Sequence, residues 1–156
     1  MKELNKDFFK RDTLDVAKDL VGKILCVDNT CARITEVEAY KQDKASHARK
    51  RTKRSELMFT SFGKVYVYLI YGMYYCLNFT SDVSAGAVLI RGLDLKGCDG
   101  PGKLCKVLGI SKADNGLDIG SRFKVFDDGY VPKLRKSQRI GIKDDVHLKW
   151  RFFDNK

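Results

Sequence analysis

The apolar residues change period twice in the first third of the chain. Between Thr13 and Val21 they fall at Leu14, Ala17, Leu20 and Val21, one face of a helix, with Asp12 placed to cap its start and Gly22 to stop its end. From Lys23 the pattern turns strand-like. Lys23 to Val27 and Cys31 to Ala39 flank Asp28-Asn29-Thr30, a turn-forming triplet, and together predict a hairpin. In an extended 31–39 segment Glu36 and Glu38 share one face, and Thr35 and Val37 the other. Residues 41 to 54 then carry no periodic apolar signal and read as an exposed loop or arm.

The middle of the chain is its most strand-like part. Tyr66 to Tyr71 and Met73 to Phe79 are rich in aromatic and branched residues and are separated by Gly72, and Gly86 to Leu93 follows a polar turn. These segments predict the centre of an antiparallel sheet. Pro101 at a first helical turn and Gly109 at a stop bracket a short helix around Leu104, Val107 and Leu108. Phe123 to Phe126 and Tyr130 to Val131, joined by Asp127-Asp128-Gly129, and then Arg139 to Ile142 and Leu148 to Phe153, read as closing strands. Neither an internal repeat nor a linker interrupts the pattern. The expectation is one α+β domain over residues 1–156.

Composition narrows the partners. At 156 residues and 44% hydrophobic the chain can build one ordinary core. Thirty Lys plus Arg against twenty Asp plus Glu give a net charge of +10, which favours a polyanion, with nucleic acid ahead of an anionic membrane surface. No apolar run approaches a membrane span, and Met1 to Asp7 lack the apolar core of a signal peptide, so a soluble intracellular protein is expected, in cytoplasm or nucleoid of a prokaryote or in a eukaryotic nucleus. Five cysteines form an odd set with no C-x-x-C spacing. They read as reduced core residues rather than metal ligands.

Charge is concentrated in two stretches. Residues 41 to 54 carry seven bases and one acid, and residues 131 to 143 five bases and no acid, too lopsided for ordinary mixed surface and suited to a polyanion. Gly97-Cys98-Asp99-Gly100-Pro101-Gly102-Lys103-Leu104 fits G-x-x-x-x-G-K but is not a phosphate loop. Leu104 replaces the hydroxyl that holds Mg²⁺, and Pro101 removes a backbone N–H from the anion cradle. The helix start beside Lys103 could hold a DNA phosphate, or be no more than a Gly-Pro-Gly turn.

Tyrosines at 66, 68, 74 and 75 fit a sheet core if their hydroxyls find partners, whereas Tyr71, against Gly72 at a hairpin tip, is suited to wedging into a duplex. Arg91 interrupts an apolar strand and needs a carboxylate or a phosphate; Glu36 and Glu38 are the candidates. Either glutamate could be a solvated strand carboxylate or a catalytic base. His47 on its own could be structural, a pocket donor or exposed.

Several stretches together are more specific. Arg33-Ile34-Thr35-Glu36-Val37-Glu38-Ala39-Tyr40, His47, Met58-Phe59, Tyr66-Val67-Tyr68-Leu69-Ile70-Tyr71-Gly72-Met73-Tyr74-Tyr75-Cys76-Leu77-Asn78, Val88-Leu89-Ile90-Arg91 and Gly100-Pro101-Gly102-Lys103-Leu104-Cys105 resemble, in order and spacing, the alkyladenine (3-methyladenine) DNA glycosylase family. The resemblance runs from Phe8 to about Phe153, with a more compact C-terminal third.

It implies a curved antiparallel sheet with a protruding hairpin and peripheral helices. It also implies a monofunctional purine DNA glycosylase of base excision repair that needs no metal or other cofactor, acts as a monomer on double-stranded DNA containing damaged purines, and does not involve a membrane. By the same resemblance Glu38 is the base that activates water and Arg91 helps hold that water. Tyr40, His47 and Tyr68 would enclose the flipped base, while Asn78 would exclude normal guanine by crowding its amino group. Tyr71 would fill the gap in the duplex, with Met73 and Lys103 as further DNA contacts. A non-catalytic damage-sensing module on the same scaffold is the alternative.

Overall fold

Alternating apolar positions assemble into a sheet that keeps most of its oil on one face. The computed structural model describes residues 1–53, 55–82 and 85–156, apart from the side chain of His47. Its strands are β1 (Lys2–Leu4), β2 (Ile24–Val27), β3 (Thr30–Tyr40), β4 (Val65–Ile70), β5 (Tyr74–Ser81), β6 (Gly86–Leu93), β7 (Phe123–Asp127), β8 (Leu134–Ser137) and β9 (Arg151–Asp154), and its α-helices α1 (Thr13–Leu20), α2 (Glu56–Thr60) and α3 (Pro101–Leu108). Among the described residues the strands pair antiparallel in the order β1-β7-β2-β3-β6-β5-β4, with β9 joining β3 and β8 joining β9. The fold is α+β, built on one large antiparallel sheet. Among the described residues no helix is long and apolar enough to cross a membrane.

The long strand β3 organises the rest. Its first half pairs with β2, its second half with β9, and β6 runs along the opposite edge. Ile34, Val37 and Ala39 of β3, Leu77 and Phe79 of β5, and Val88 and Ile90 of β6 enter the main core with Val16, Ala17 and Leu20 of α1 and Leu104 of α3. Because side chains alternate, Glu38 and Tyr40, Tyr66 and Tyr68, and Cys76 and Asn78 fall on the other face. There a smaller cluster of Ala48, Met58, Tyr66, Ala85 and Ala87, with Tyr40 and Tyr68 against it, makes a second packed layer.

A register shift breaks the β3–β6 ladder at one place: Ile34 faces Leu93, Glu36 faces Gly92 and Val37 faces Ile90, so Arg91 falls between two pairs. Such irregularities re-aim side chains. This one turns Arg91 towards both glutamates.

Several expectations need correction. Tyr130–Val131 and Arg139–Ile142 are not strands; the chain pairs instead through Leu134–Ser137, and the last strand is shortened to Arg151–Asp154. The turn at Asp127-Asp128-Gly129 is consumed by local bonds and by Arg33, which holds the Asp128 carboxylate, so no hairpin closes there. Asp12 sits at the start of α1 and its carbonyl accepts from the Asp15 and Val16 N–H groups, but its carboxylate, taken by Lys41, makes no capping hydrogen bond.

Cys26 and Cys31, directly opposed in the β2–β3 hairpin, form a disulfide, whereas Cys76, Cys98 and Cys105 are buried and free. The 41–54 stretch is not simply an exposed arm. Ser46 and Ala48 are buried around a 3-10 turn, His47–Arg49. Arg54, and part of the polar turn before Gly86, lie outside the described residues.

Gly86 starts β6 where α1 comes closest. A β-carbon there would stand 1.8 Å from Thr13 Oγ1 and 2.9 Å from the Ser81 carbonyl oxygen. Gly86→Ala is therefore expected to lower stability in urea denaturation by ~1–3 kcal/mol, the usual cost of overpacking a tight core.

Candidate active site

Glu38 occupies the centre of the second face and has 0% exposure. An isolated carboxylate could not stay ionised there. Its Oε1 accepts from the Tyr40 hydroxyl at 2.8 Å and its Oε2 from the Ile140 backbone N–H at 2.6 Å, while Arg91 Nε lies 3.7 Å from Oε2. Burial raises the Glu38 pKa above the ordinary 4.5; Arg91, the Ile140 N–H and the Tyr40 hydroxyl pull against that rise. The Tyr40 hydroxyl is itself pushed up, first by burial and then by the Glu38 charge. It stays protonated and serves as a donor. The strand pair thus holds a carboxylate more basic than a surface glutamate, a property that suits a general base.

Glu36 is differently placed. It is partly open to solvent, and its Oε2 accepts from Arg91 Nε at 3.2 Å and from Arg151 Nε as well. Arg151 in turn donates from Nη1 to Ser137 Oγ at 2.7 Å. Two arginines claim the Glu36 carboxylate.

Beside Glu38 is a pocket lined by Tyr40, Ala45, Ser46, Met58, Tyr66, Tyr68 and Asn78. Burial pushes the Tyr68 hydroxyl pKa well up, so this wall stays neutral. Asn78 is buried and donates its Nδ2 to the Tyr66 carbonyl at 3.2 Å, which fixes the amide against the sheet. Three of the residues expected to enclose or screen a base, Tyr40, Tyr68 and Asn78, therefore line one cavity. His47 opens the neighbouring 3-10 turn, and its side chain lies outside the described set.

A second concavity, a groove, includes Arg91 and Ile140, both of which contact Glu38. Tyr71, Tyr74, Cys76, Arg91 and Ile140 line it together with the first turn of α3, Gly100 to Lys103. The β4–β5 hairpin ends here. Tyr71 has a left-handed backbone, φ 55°, and is 83% exposed, and Met73 beside it is also exposed. Tyr74 packs so closely on α3 that a β-carbon on Gly102 would lie 3.0 Å from it. Lys103 is exposed on α3, in a long contact with Asp99. Among the described residues no group of three or more His, Cys, Asp or Glu side chains is arranged to hold a metal ion.

A buried carboxylate, an aromatic pocket and an exposed aromatic tip lie on one basic molecule. The profile of the methylpurine-DNA glycosylase family matches residues 7–156. The chain belongs to the methylpurine-DNA glycosylase family.

A relative from Sodalis glossinidius is 46% identical over 161 residues, covering 96% of this chain and 95% of that protein. One from Rickettsia felis is 44% identical over 161 residues, covering 96% and 91%. Each carries the name "Putative 3-methyladenine DNA glycosylase". A relative of the same name from Clostridium perfringens is 39% identical across an alignment of 198 residues, covering 98% and 97%, so family members tolerate insertions that this chain lacks.

Within this family site, sequence reasoning missed the contributions of the C-terminal third. The Ile140 N–H on Glu38, Arg151 on Glu36, and Arg139, whose guanidinium is buried against Asp43 and Tyr40, all come from segments read as strands or basic surface. The absence of any acid between 131 and 143 was a charge signal. That one of those bases turns inward had no local signal.

Arg91 is the main positive charge compensating Glu38. Arg91→Met should therefore destabilise the protein at pH 8, by up to the ~3 kcal/mol typical of removing one partner of a buried pair. A raised carboxylate pKa contributes stability below its unfolded pKa and loses it as pH rises through the folded one, so the deficit should shrink at pH 5. Adding Glu38→Gln should relieve most of it. Urea titrations of the single and double variants at both pH values check this.

Proposed function

We propose that the protein is a monofunctional DNA glycosylase. It would turn a damaged purine out of duplex DNA, bury it in the pocket beside Glu38, and hydrolyse the N-glycosidic bond to leave an abasic site. The observation that carries this reading is the placement of Glu38: a buried carboxylate of raised pKa, between an aromatic pocket and a groove that ends at Tyr71, in a chain of the methylpurine-DNA glycosylase family.

Each residue then has a physical task. Tyr71 enters the gap left by the extruded nucleotide, because an exposed aromatic on a stiff hairpin can replace lost stacking. Tyr40 and Tyr68, with His47, surround the base and favour a purine made cationic by alkylation. Asn78, held by its bond to the Tyr66 carbonyl, crowds the amino group of normal guanine. Ionised Glu38 takes the proton from a water aimed at the sugar carbon while its charge stabilises the developing oxocarbenium ion; Arg91 helps hold the water.

Cationic bases such as 3-methyladenine and 7-methylguanine leave without help, whereas hypoxanthine or ethenoadenine need protonation of the ring. Lys103 and the exposed basic side chains hold the duplex backbone, an interaction that weakens with salt, and Met73 touches the duplex beside Tyr71.

The test is single-turnover base release from duplexes carrying these lesions, with chelator present. Wild type should release base and leave a strand that nicks only on alkali treatment. Glu38→Gln should slow the chemical step by at least the ~10²-fold typical of lost general-base catalysis, and Glu36→Gln should be milder. Glu38 acts ionised, so the wild-type rate should fall as pH drops through a midpoint above 4.5. Binding without release would return the protein to the damage-sensing reading.

Because Tyr71 is exposed and packs little, Tyr71→Ala should keep the wild-type melting temperature and lose most activity on duplex. Parallel losses of stability and activity would make it an ordinary sheet residue.

A further inference from the structure

The described arginine most deeply buried is Arg139, which sequence charge counting assigns to the DNA-facing surface. Its side chain has 0% exposure. Nη1 donates to the Ala39 carbonyl at 3.1 Å and to Asp43 Oδ2 at 3.2 Å, and Nη2 donates to Asp43 Oδ1 at 2.9 Å. The guanidinium lies 4.7 Å from the centre of the Tyr40 ring and 5.1 Å from Trp150. Its Nε is buried without a hydrogen-bond partner among the described residues.

As a stability device this is poor. A buried ion pair with an unmatched N–H compares badly with a well-packed apolar side chain. What a planar fork supplies better than any apolar group is fixed geometry.

The parts it fixes are the two walls around Glu38. On one side Asp43, gripped by Arg139, also accepts from the Lys41 and Ala45 backbone N–H groups, and so shapes the turn that brings Ala45 and Ser46 into the pocket. On the other side the residue after Arg139 is Ile140, whose N–H meets Glu38 Oε2 at 2.6 Å. Between them the guanidinium backs the ring of Tyr40, whose hydroxyl meets Glu38 Oε1.

We propose that Arg139 is a positioning residue of the active site: its clamp on Asp43, Ala39 and Tyr40 holds in place both the pocket wall at 45–46 and the Ile140 N–H that orients the Glu38 carboxylate. Its consequence for rate rests on the reading of Glu38 as the base; its consequence for the carboxylate itself does not.

The groups facing Glu38 are Glu36 and Tyr40 on β3, Arg91 on β6, Cys76 on β5 and Tyr68 on β4, with Arg151 of β9 acting through Glu36. None of them changes in the two variants that test the clamp. Arg139→Lys keeps the positive charge and loses the fork. Asp43→Asn removes a negative charge, which by simple electrostatics lowers the Glu38 pKa, whereas loss of the Ile140 hydrogen bond raises it. The two accounts therefore predict opposite signs.

The experiment is a carbon-13 NMR titration of the Glu38 carboxyl, alongside single-turnover excision and affinity for a duplex with an abasic analogue. In both variants the Glu38 midpoint should move up. Excision at neutral pH should fall roughly ten- to hundredfold, the worth of one charge-assisted hydrogen bond, with duplex affinity unchanged.

A midpoint that stays put in both variants, or that moves down in Asp43→Asn, overturns the proposal, as does a rate loss that only follows the melting temperature. Should Arg139→Lys fail to fold, Asp43→Asn decides by the sign of its shift. If wild type releases no base yet the midpoint moves up as expected, the glycosylase reading falls and the positioning role stands.

Discussion

A carboxylate shut away from water in the middle of a β-sheet must be compensated or neutralised, and the arrangement around Glu38 follows from that requirement. Desolvation raises its pKa, while one cation, one phenol and one backbone N–H, drawn from β6, β3 and the segment after β8, lower it again. The compensation is partial, and the carboxylate stays more basic than an ordinary glutamate. Glu36, by contrast, is paired with two arginines. The two glutamates lie two residues apart on one strand, and their different neighbours make them chemically different groups.

The sheet separates the demands of stability from those of the site. One face carries the aliphatic core with α1 and α3 packed on it. The other carries tyrosines, an asparagine, a thiol and the carboxylate, closed by a thinner cluster around Met58 and Tyr66. A packed sheet is a stiff support, so groups mounted on it keep their geometry without large motions of their own. Only the β4–β5 tip leaves this frame. There Tyr71 adopts a left-handed backbone and is exposed to solvent, a conformation that disfavours a non-glycine residue.

Much of the fold was legible along the chain because local rules dominate it. The hairpin of β2 and β3, strands β4 to β6 and the Pro-to-Gly helix α3 follow from alternation, turn residues and caps. The disulfide runs against the reading of all five cysteines as reduced core residues: it follows from the observed pairing, which sets Val27 opposite Thr30 and so Cys26 opposite Cys31. The C-terminal third resisted the same rules. Leu134 to Ser137 is too polar to announce a strand, yet it pairs with β9. Arg139 to Ile142 has strand-like residues but is held as a loop, because the Arg139 guanidinium turns inward to Asp43.

The amino-acid sequence by itself determined the period of each element, the basic character of the molecule, the shared face of Glu36 and Glu38, and the need of Arg91 for a carboxylate, since each depends on residues near one another in the chain or on bulk charge. The tertiary structure alone decided which glutamate is buried, which arginine is drawn inside, and which backbone N–H completes the carboxylate's shell. Ile140 and Glu38 are 102 residues apart, and Arg139 and Asp43 are 96 apart. Contacts of that range depend on how the last segments close over the sheet, and no local pattern encodes the burial that raises the Glu38 pKa.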